Sequence, residues 1–244
     1  MEQVHFIPAK AGALALTPGA VHVWRFPIHA GSDEPWLLSR READYAAGFR
    51  STAARYVTAQ TRMRQILAGY LGVDDPLALP FTRGMYGKPA LGLPYQGGLE
   101  FNLTHTDGYG LLAVSQAGRV GIDIEHVKPR AGITRVIRRI AVEEELNWWQ
   151  SLPAEEQTWA FYRLWTIKEA GLKAIGTGMA LSPKCVQPVL GVSHGEVRVT
   201  DADLAGVLEF SQHRFGDHPF TLVADSIHPD RLQFLDFQAG APRN

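Results

Sequence analysis

Apolar residues in the first third of the chain recur at spacings typical of one side of a helix. Between residues 49 and 70 the spacings are seven, seven, four and three. This pattern predicts one long helix from Glu42 to Leu71, which ends at Gly72. The apolar side of this helix consists of Phe49, Tyr56, Met63, Leu67 and Tyr70.

A second long helix is predicted in the other half of the chain. Pro153 and the acidic residues Glu155 and Glu156 are typical of a helix start, because negative side chains are favourable in the first turn. The Gly-Thr-Gly sequence that begins at Gly176 is typical of a helix end. We therefore expect a helix from about Glu155 to Ile175.

The segments between and after these helices favour strands. Two extended runs on either side of the short connection 116–118 indicate neighbouring strands of one hairpin. Gly87 and Pro89 argue against regular structure around Lys88, which should lie on a turn. The predicted strands are Tyr109–Ser115, Arg119–His126, Glu196–Val199, Val207–Phe215 and Phe220–Ala224.

Each half of the chain thus holds one long helix followed by strands. This arrangement predicts an α/β (α+β) fold of two subdomains related by a pseudo-two-fold axis, residues 1–118 and 119–244. In each subdomain a long helix should pack on a small, mainly antiparallel sheet. The cleft between the two subdomains is then the expected position of an active site.

Composition narrows the class of protein. The chain has 244 residues, 45% hydrophobic and 20% charged, with a formal net charge of -1, which argues against a strongly basic nucleic-acid binder. The single cysteine, Cys185, excludes an internal disulfide framework. The sequence has no apolar run of roughly 18 to 20 residues and begins without a secretory pattern, so we expect a cytoplasmic protein.

The strand GRVGIDIEHV carries a pair of acidic residues. Asp123 and Glu125 are two residues apart, so both carboxylates should leave the same face of the strand, while Ile122 and Ile124 face a core. Two carboxylates on one face can share a hard cation such as Mg²⁺. Alternation of polar and apolar residues also describes any half-exposed strand, and the pair alone does not decide between the two.

The second helix offers further charged residues. Glu169 and Lys173 are four residues apart and lie on one face, whereas Lys168 points to an adjoining face with Trp165 and Leu172. Among apolar neighbours, Lys168 would be a candidate phosphate ligand, since a desolvated ammonium needs an anion. The alternative is a lysine that extends to solvent beside an ordinary Glu169–Lys173 surface pair.

Several polar groups could bind phosphate, although none does so decisively. Thr104 and His105 precede a turn at Asp107, and their hydroxyl and imidazole groups can donate hydrogen bonds, but turn chemistry alone would explain them. Arg55 and Arg62 on the first helix could meet an anion or water. A basic cluster could attract an acidic partner or be a solvated surface; it comprises Lys128, Arg130, Arg135, Arg138 and Arg139.

Four motifs occur in a specific order along the chain. They are YGKPAL at 86–91, FNLTHT at 101–106, GIDIE at 121–125 and WTIKEAGLKAIGTG at 165–178. Together they resemble the 4′-phosphopantetheinyl transferase superfamily, in its larger, monomeric surfactin-synthetase-activating type. The resemblance spans about residues 45 to 180, and the segment IAVEEELNWW at 140–149 departs from the phenylalanine-rich pattern common in relatives.

The resemblance implies a magnesium site and a set of coenzyme A contacts. Asp123, Glu125 and Glu169 match the family's magnesium ligands, and Glu169 also matches the residue that helps to deprotonate the attacking serine. Lys168 matches a group that stabilises the leaving group, so the implied catalytic residues are Glu169, Lys168 and Asp123. The implied coenzyme A contacts are Arg55, Lys88, Thr104, His105, Lys168 and Lys173, with Arg50 as a further candidate.

The implied reaction moves the phosphopantetheine arm of coenzyme A to a serine of an acyl or peptidyl carrier protein. The resemblance further implies a monomer, while the net charge and the absence of a long apolar run predict that it binds neither nucleic acid nor membrane. Two rival functions stay open at this point. One is a magnesium-dependent diphosphate hydrolase, which would act without a carrier, and the other is a non-catalytic module that binds carriers.

Overall fold

A computed structural model of the protein describes residues 1–12, 15–28, 36–48, 53–116 and 118–238. Arg50 lies outside these ranges. The helices are α1 (Arg40–Ala47), α2 (Ala53–Leu71), α3 (Ile133–Ile140), α4 (Glu143–Ser151) and α5 (Ala154–Ile175). The strands are β1 (Glu2–Gln3), β2 (Ile7–Lys10), β3 (Val21–Pro27), β4 (Phe81–Arg83), β5 (Pro89–Leu91), β6 (Glu100–His105), β7 (Tyr109–Ser115), β8 (Val120–Ile124), β9 (Val186–Pro188), β10 (His194–Val199), β11 (Gly206–Phe215), β12 (His218–Ala224) and β13 (Leu232–Gln238).

Two sheets, each with one long helix on its outer face, form the body of the molecule. The first sheet has the order β2-β13-β3-β7-β6, and the second has the order β8-β12-β11-β10-β9 with β1 beside β11. Helix α2 packs on the first sheet through residues such as Met63 and Leu67, and α5 packs on the second through Ala170 and Leu172. This architecture confirms the expected α/β fold.

The two sheets pack face to face. Their shared core contains Val23 and Leu111 from the first sheet and Ile122, Ile124 and Leu222 from the second, and all of these residues are buried. Burial of an alternating apolar face is the main force that holds such layers together. Because Ile122 and Ile124 point into this core, Asp123 leaves β8 on the other face, toward α5.

The long helix predicted from Glu42 to Leu71 is wrong as one element. Ser39 caps a separate short helix, α1, by a reciprocal pair of hydrogen bonds with Glu42, and that helix ends at Gly48. The segment around Lys88 is also more regular than expected. Strands β4 and β5 form an antiparallel hairpin there, although Lys88 itself lies on the turn as predicted.

The predicted hairpin of 109–115 with 119–126 is wrong as well. Both segments are strands, but β7 pairs with β3 and β6 while β8 pairs with β12, in the other sheet. Both strands are buried on both faces, a pattern that does not specify a hydrogen-bonding partner. The short connection therefore carries the chain from one sheet to the other.

Each terminal strand pairs in the sheet of the other half of the chain, across the boundary expected near residue 118. Strand β1 pairs with β11 of the second sheet, and β13 pairs with β2 and β3 of the first. The division into 1–118 and 119–244 stays a prediction, with an exchange of terminal strands across it. Helix α5 ends at Gly176 with φ of 87°, as the sequence predicted. No helix of the described ranges is long and apolar enough to cross a membrane.

Candidate functional site

The seam between the two sheets, where β6 and β8 lie side by side, brings polar side chains together. Here the side chain of Asn102 on β6 accepts a hydrogen bond from the backbone N–H of Ile122 on β8, at 2.8 Å. Two residues further along β6, the Thr104 hydroxyl donates to Asp123 Oδ1 at 3.2 Å. Residues from the two halves of the chain thus meet at this point.

Helix α5 approaches this seam very closely because β8 has glycine at position 121. A Cβ on Gly121 would lie 2.0 Å from the carbonyl oxygen of Ala170, so no side chain fits there. The close packing brings Lys173 to Asp123. The Lys173 ammonium donates to Asp123 Oδ1 at 2.6 Å, to Thr104 Oγ1 at 3.1 Å and to the Ile122 carbonyl at 3.3 Å.

Three carboxylates face the seam; we call Asp123, Glu125 and Glu169 the carboxylate site. Burial raises the pKa of Asp123, against the charge of Lys173. Burial and then the negative charge of Asp123 raise the pKa of Glu125 to about 7, and the same two causes raise the pKa of Glu169. The carboxylates therefore disfavour one another's ionised form and would be stabilised by a shared positive charge.

The carboxylate site fits a hard divalent cation. Asp123 Oδ2 is buried and makes no hydrogen bond, so it offers a lone pair that the protein does not use. Within the described residues, no three carboxylate, imidazole or thiol groups already stand in coordinating positions. Oxygen donors of this kind suit Mg²⁺, which keeps waters or phosphate oxygens as its other ligands.

Basic groups flank the carboxylate site. Desolvation and then the positive charges of Lys173 and Arg55 lower the pKa of His105, so both cationic groups lie near its imidazole. The Arg55 guanidinium lies 2.7 Å from Asp107, and Lys128 contacts the same carboxylate at 3.2 Å. Positive charge from both halves of the chain is thus concentrated next to the three carboxylates.

A cavity of about 770 Å³ lies beside β6. It is bordered by α1, α2 and the β4–β5 hairpin, and it reaches Asn102 and Leu103. Its lining combines aromatic rings with guanidinium groups, a composition that suits a planar anionic ligand. These residues are Tyr45, Tyr56, Arg41 and Arg83, whereas Arg64 in the same wall already pairs with Glu42 at 2.7 Å.

Lys88 joins the two halves of the chain. Its ammonium donates to the carbonyl oxygens of Val120 at 2.9 Å and Ala174 at 3.1 Å, and Glu100 is 4.0 Å away. The residue thus ties the β4–β5 turn to the start of β8 and the end of α5. Its expected contact with the nucleotide stays a prediction, since two of its three donors already bind the protein.

Lys168 makes contacts that differ from those expected in the sequence analysis. Its side chain is fully buried on the side of α5 that faces α4, where the ammonium donates to Glu145 at 2.9 Å. The carbonyl oxygens of Pro183 and Val186 accept the other two hydrogen bonds, at 3.1 and 2.7 Å. The expectation that a desolvated ammonium needs an anion was correct, but the anion is the Glu145 carboxylate. The predicted contact of Lys168 with phosphate stays a prediction, and all three of its donors already bind the protein.

Three residues with a part in this geometry were missed by sequence reasoning. Asn102 links the two sheets, Glu145 pairs with Lys168, and Trp165 donates its indole N–H to Glu125 Oε1 at 3.0 Å. Asn102 and Trp165 lie inside the motifs FNLTHT and WTIKEAGLKAIGTG. Their place inside these motifs is the signal that could have identified them. Glu145 is one of three successive glutamates, and nothing in the sequence distinguishes it from the other two.

Comparisons with known proteins identify the family. The family model of the 4′-phosphopantetheinyl transferase superfamily matches residues 119–223. The chain is 35% identical over 184 residues to the 4′-phosphopantetheinyl transferase HetI of Nostoc sp., an alignment that covers 70% of this chain and 75% of that protein.

Two further relatives have the same name. One is the 4′-phosphopantetheinyl transferase gsp of Aneurinibacillus migulanus, which is 33% identical over 52% of this chain and half of its own length. The other is the 4′-phosphopantetheinyl transferase of Bacillus subtilis, 29% identical over 64% of this chain and 68% of that protein. The chain therefore belongs to the 4′-phosphopantetheinyl transferase superfamily and is an enzyme of that type.

Proposed function

We propose that this enzyme transfers 4′-phosphopantetheine from coenzyme A to a serine of an apo acyl or peptidyl carrier protein. The products are the holo carrier and adenosine 3′,5′-bisphosphate. The observation that carries the proposal is the meeting of three carboxylates with Lys173, Thr104 and His105 at the seam of the two sheets. Binding of a diphosphate requires both ligands for a cation and positively charged side chains nearby.

The carboxylate site is the proposed magnesium site. Asp123, Glu125 and Glu169 supply oxygen donors, and the unused Oδ2 of Asp123 supports a ligand role for that residue. Mg²⁺ held there would neutralise negative charge that grows on the diphosphate during transfer. Trp165 keeps one oxygen of Glu125 fixed, so that carboxylate is already oriented.

The protein's own cationic groups are proposed to hold the phosphates. Lys173 now contacts Asp123, and its side chain is 25% exposed, so it can also reach a phosphate at the seam. His105 and Arg55 lie beside it and can donate to further phosphate oxygens. The cavity next to β6 is the proposed position of the nucleotide, with its aromatic and arginine lining.

Glu169 is the proposed acceptor of the serine proton. Glu169 is close enough to Asp123 for the two carboxylates to interact, so it lies where the serine would approach the diphosphate and can accept its proton. In the step, the serine oxygen forms a bond to the β-phosphorus and its proton passes to Glu169. The bond from that phosphorus to the bridging oxygen breaks, and adenosine 3′,5′-bisphosphate leaves. No nucleophile of this chain takes part.

The proposal is tested by incubation of the protein with coenzyme A, Mg²⁺ and each of several apo carrier proteins. We expect intact-mass analysis to show one phosphopantetheinyl group on the carrier, and none when the acceptor serine is replaced by alanine. Release of adenosine 3′,5′-bisphosphate in the absence of carrier would instead indicate a hydrolase. An unchanged mass for every carrier would overturn the proposed function.

A further inference from the structure

The buried pair of Lys168 with Glu145 has no part in the proposed chemistry, although it involves one of the most deeply buried charges of the described chain. The exposed fractions of the two side chains are 0% and 3%. Lys168 donates to three oxygens, and Glu145 also accepts from the backbone N–H of Val142 at the start of α4. All three ammonium donors therefore have a partner.

Such a pair is a costly way to stabilise a fold. Removal of two charges from water costs several kcal/mol per ion, and apolar residues of the same volume often serve stability equally well. A fully satisfied polar network does, however, fix geometry, because a shift of any member leaves a buried charge without its partner. The location of the pair shows which geometry is fixed.

The pair ties two further segments to one point of α5. Glu145 belongs to α4, while Pro183 lies just before β9 and Val186 is the first residue of β9. The opposite side of α5 rests on β8, where the backbone of Gly121 touches that of Ala170. Helix α5 is thus held between a close backbone contact on one side and a charge network on the other.

The residue that follows Lys168 is Glu169 of the carboxylate site. Successive residues of a helix are about 100° apart around its axis, so the rotation that seats Lys168 in its network also sets the direction of Glu169. A helix rotated or shifted by an ångström would change the distance from Glu169 to Asp123. Misplacement by that amount can cost about 100-fold in rate.

We infer that Glu145 and Lys168 are positioning residues, which lock the rotation of α5 and thereby place Glu169 against Asp123. Neither group needs to touch coenzyme A. The inference rests on the proposed function, since it assigns the effect to transfer by Glu169 and its neighbours. It also gives Glu145, in the segment at 140–149, a defined role.

The decisive variant is Glu145→Gln, which removes the buried negative charge and leaves Lys168 in place. We expect kcat to fall about 10-fold through misplacement of Glu169, with the KM for coenzyme A changed by less than about twofold. The matched control is Glu144→Gln, an exposed residue of the same helix, which should behave as the wild type. Circular dichroism and thermal melting confirm that each variant is folded.

A second comparison keeps the test valid if one single variant does not fold. In Lys168→Met the unpaired Glu145 charge stays buried, whereas Lys168→Met combined with Glu145→Leu removes both charges. We expect the double variant to recover at least about threefold in kcat relative to Lys168→Met. A phosphate ligand at Lys168 would leave the double variant as impaired as the single one.

The outcomes separate this inference from the proposed function. Absence of transfer by the wild type would overturn the proposed function itself. Transfer by the wild type together with a normal kcat in Glu145→Gln would overturn only the positioning role. A raised KM for coenzyme A in Lys168→Met, with no recovery in the double variant, would return Lys168 to direct contact with substrate.

Discussion

Helix α5 carries two lysine–carboxylate pairs on different sides, and they differ in burial and in hydrogen bonding. The site pair, Lys173 with Asp123, has side chains 25% and 8% exposed, and Asp123 Oδ2 has no hydrogen-bond partner. The back pair, Lys168 with Glu145, has side chains 0% and 3% exposed, and all three donors of Lys168 are used. The ion-pair distances themselves are similar, 2.6 and 2.9 Å.

This difference shows why charge type and spacing do not reveal a lysine's role. In the site pair, one oxygen of Asp123 is unused and Lys173 is partly exposed. These groups can therefore exchange partners, as binding of a cation and a diphosphate requires. A closed pair cannot exchange partners without leaving a buried charge, so it fixes structure. Three predictions test the difference between the two pairs, and the largest expected effect comes first.

The largest effect is expected for Asp123→Ala, which removes the carboxylate of the site pair. Transfer should fall by at least about 1,000-fold, because the charge that grows on the diphosphate loses its proposed cation ligand. Stability should change little, since burial already disfavours the ionised Asp123 and the partly exposed Lys173 can reach water. Carrier mass analysis over time and thermal melting measure the two effects.

The matched control is Asp203→Ala, an exposed aspartate of the second half, which should transfer at the wild-type rate. Turnover in Asp123→Ala close to that of the control would remove Asp123 from the proposed magnesium site.

An intermediate effect on stability is expected when each lysine is replaced by methionine. Lys168→Met should lower the free energy of unfolding by about 3–5 kcal/mol, because it leaves Glu145 charged and buried. Lys173→Met should cost less, because the Lys173 side chain is 25% exposed and solvent partly screens its ion pair. Mg²⁺ with coenzyme A should restore stability in Lys173→Met only. Urea denaturation with and without these ligands measures the difference.

Lys184→Met, at an exposed lysine near the back pair, serves as the control. Equal losses for Lys168→Met and Lys173→Met, both insensitive to Mg²⁺, would show that the two pairs do not differ in the way proposed.

The smallest effect is expected for Trp165→Phe. This change removes the hydrogen bond to Glu125 and preserves the stacking of the ring on Phe161, whose centroid is 6.4 Å away. One such bond to a charged group is worth about 1.5–3 kcal/mol, which corresponds to roughly 10- to 150-fold in kcat/KM. The Mg²⁺ concentration for half-maximal transfer should rise, and Trp148→Phe on α4 should leave it unchanged. The opposite pattern would assign Trp165 to packing alone.

Elements with a strong local signal were predictable from the sequence. Helix α5 was found with its end at Gly176, because acidic residues mark its start and glycine its left-handed cap. Strands β10, β11 and β12 were also expected close to their observed positions. Strand β13 was missed, although its pairing with β3 joins the end of the chain to the first sheet.

Strand partners were not predictable, because hydrogen bonding between strands depends on segments far apart in the chain. Strands β7 and β8 follow each other closely and are both apolar, which favours a hairpin, yet they pair in different sheets. The sequence around β8 contains no sign of its partner β12, about 100 residues later. Only the packing of the two sheets separates the strands.

For the candidate site, the order of the amino acids was sufficient to show which charged and polar groups could form it. The order of four motifs indicated the family, and the two-residue spacing of Asp123 and Glu125 indicated a shared face. Local geometry is sufficient for such statements, since side chains two apart on a strand or four apart on a helix are neighbours in any fold.

The tertiary structure decided which lysine faces the carboxylate site. Lys168 and Lys173 lie in one motif, and both could have met an anion. Their contacts depend on what packs against each side of α5: β8 with its bare Gly121 on one side, and α4 with Glu145 on the other. Burial and the identity of a charged partner are properties of the assembled layers, because the low dielectric and the neighbouring charge both come from distant segments.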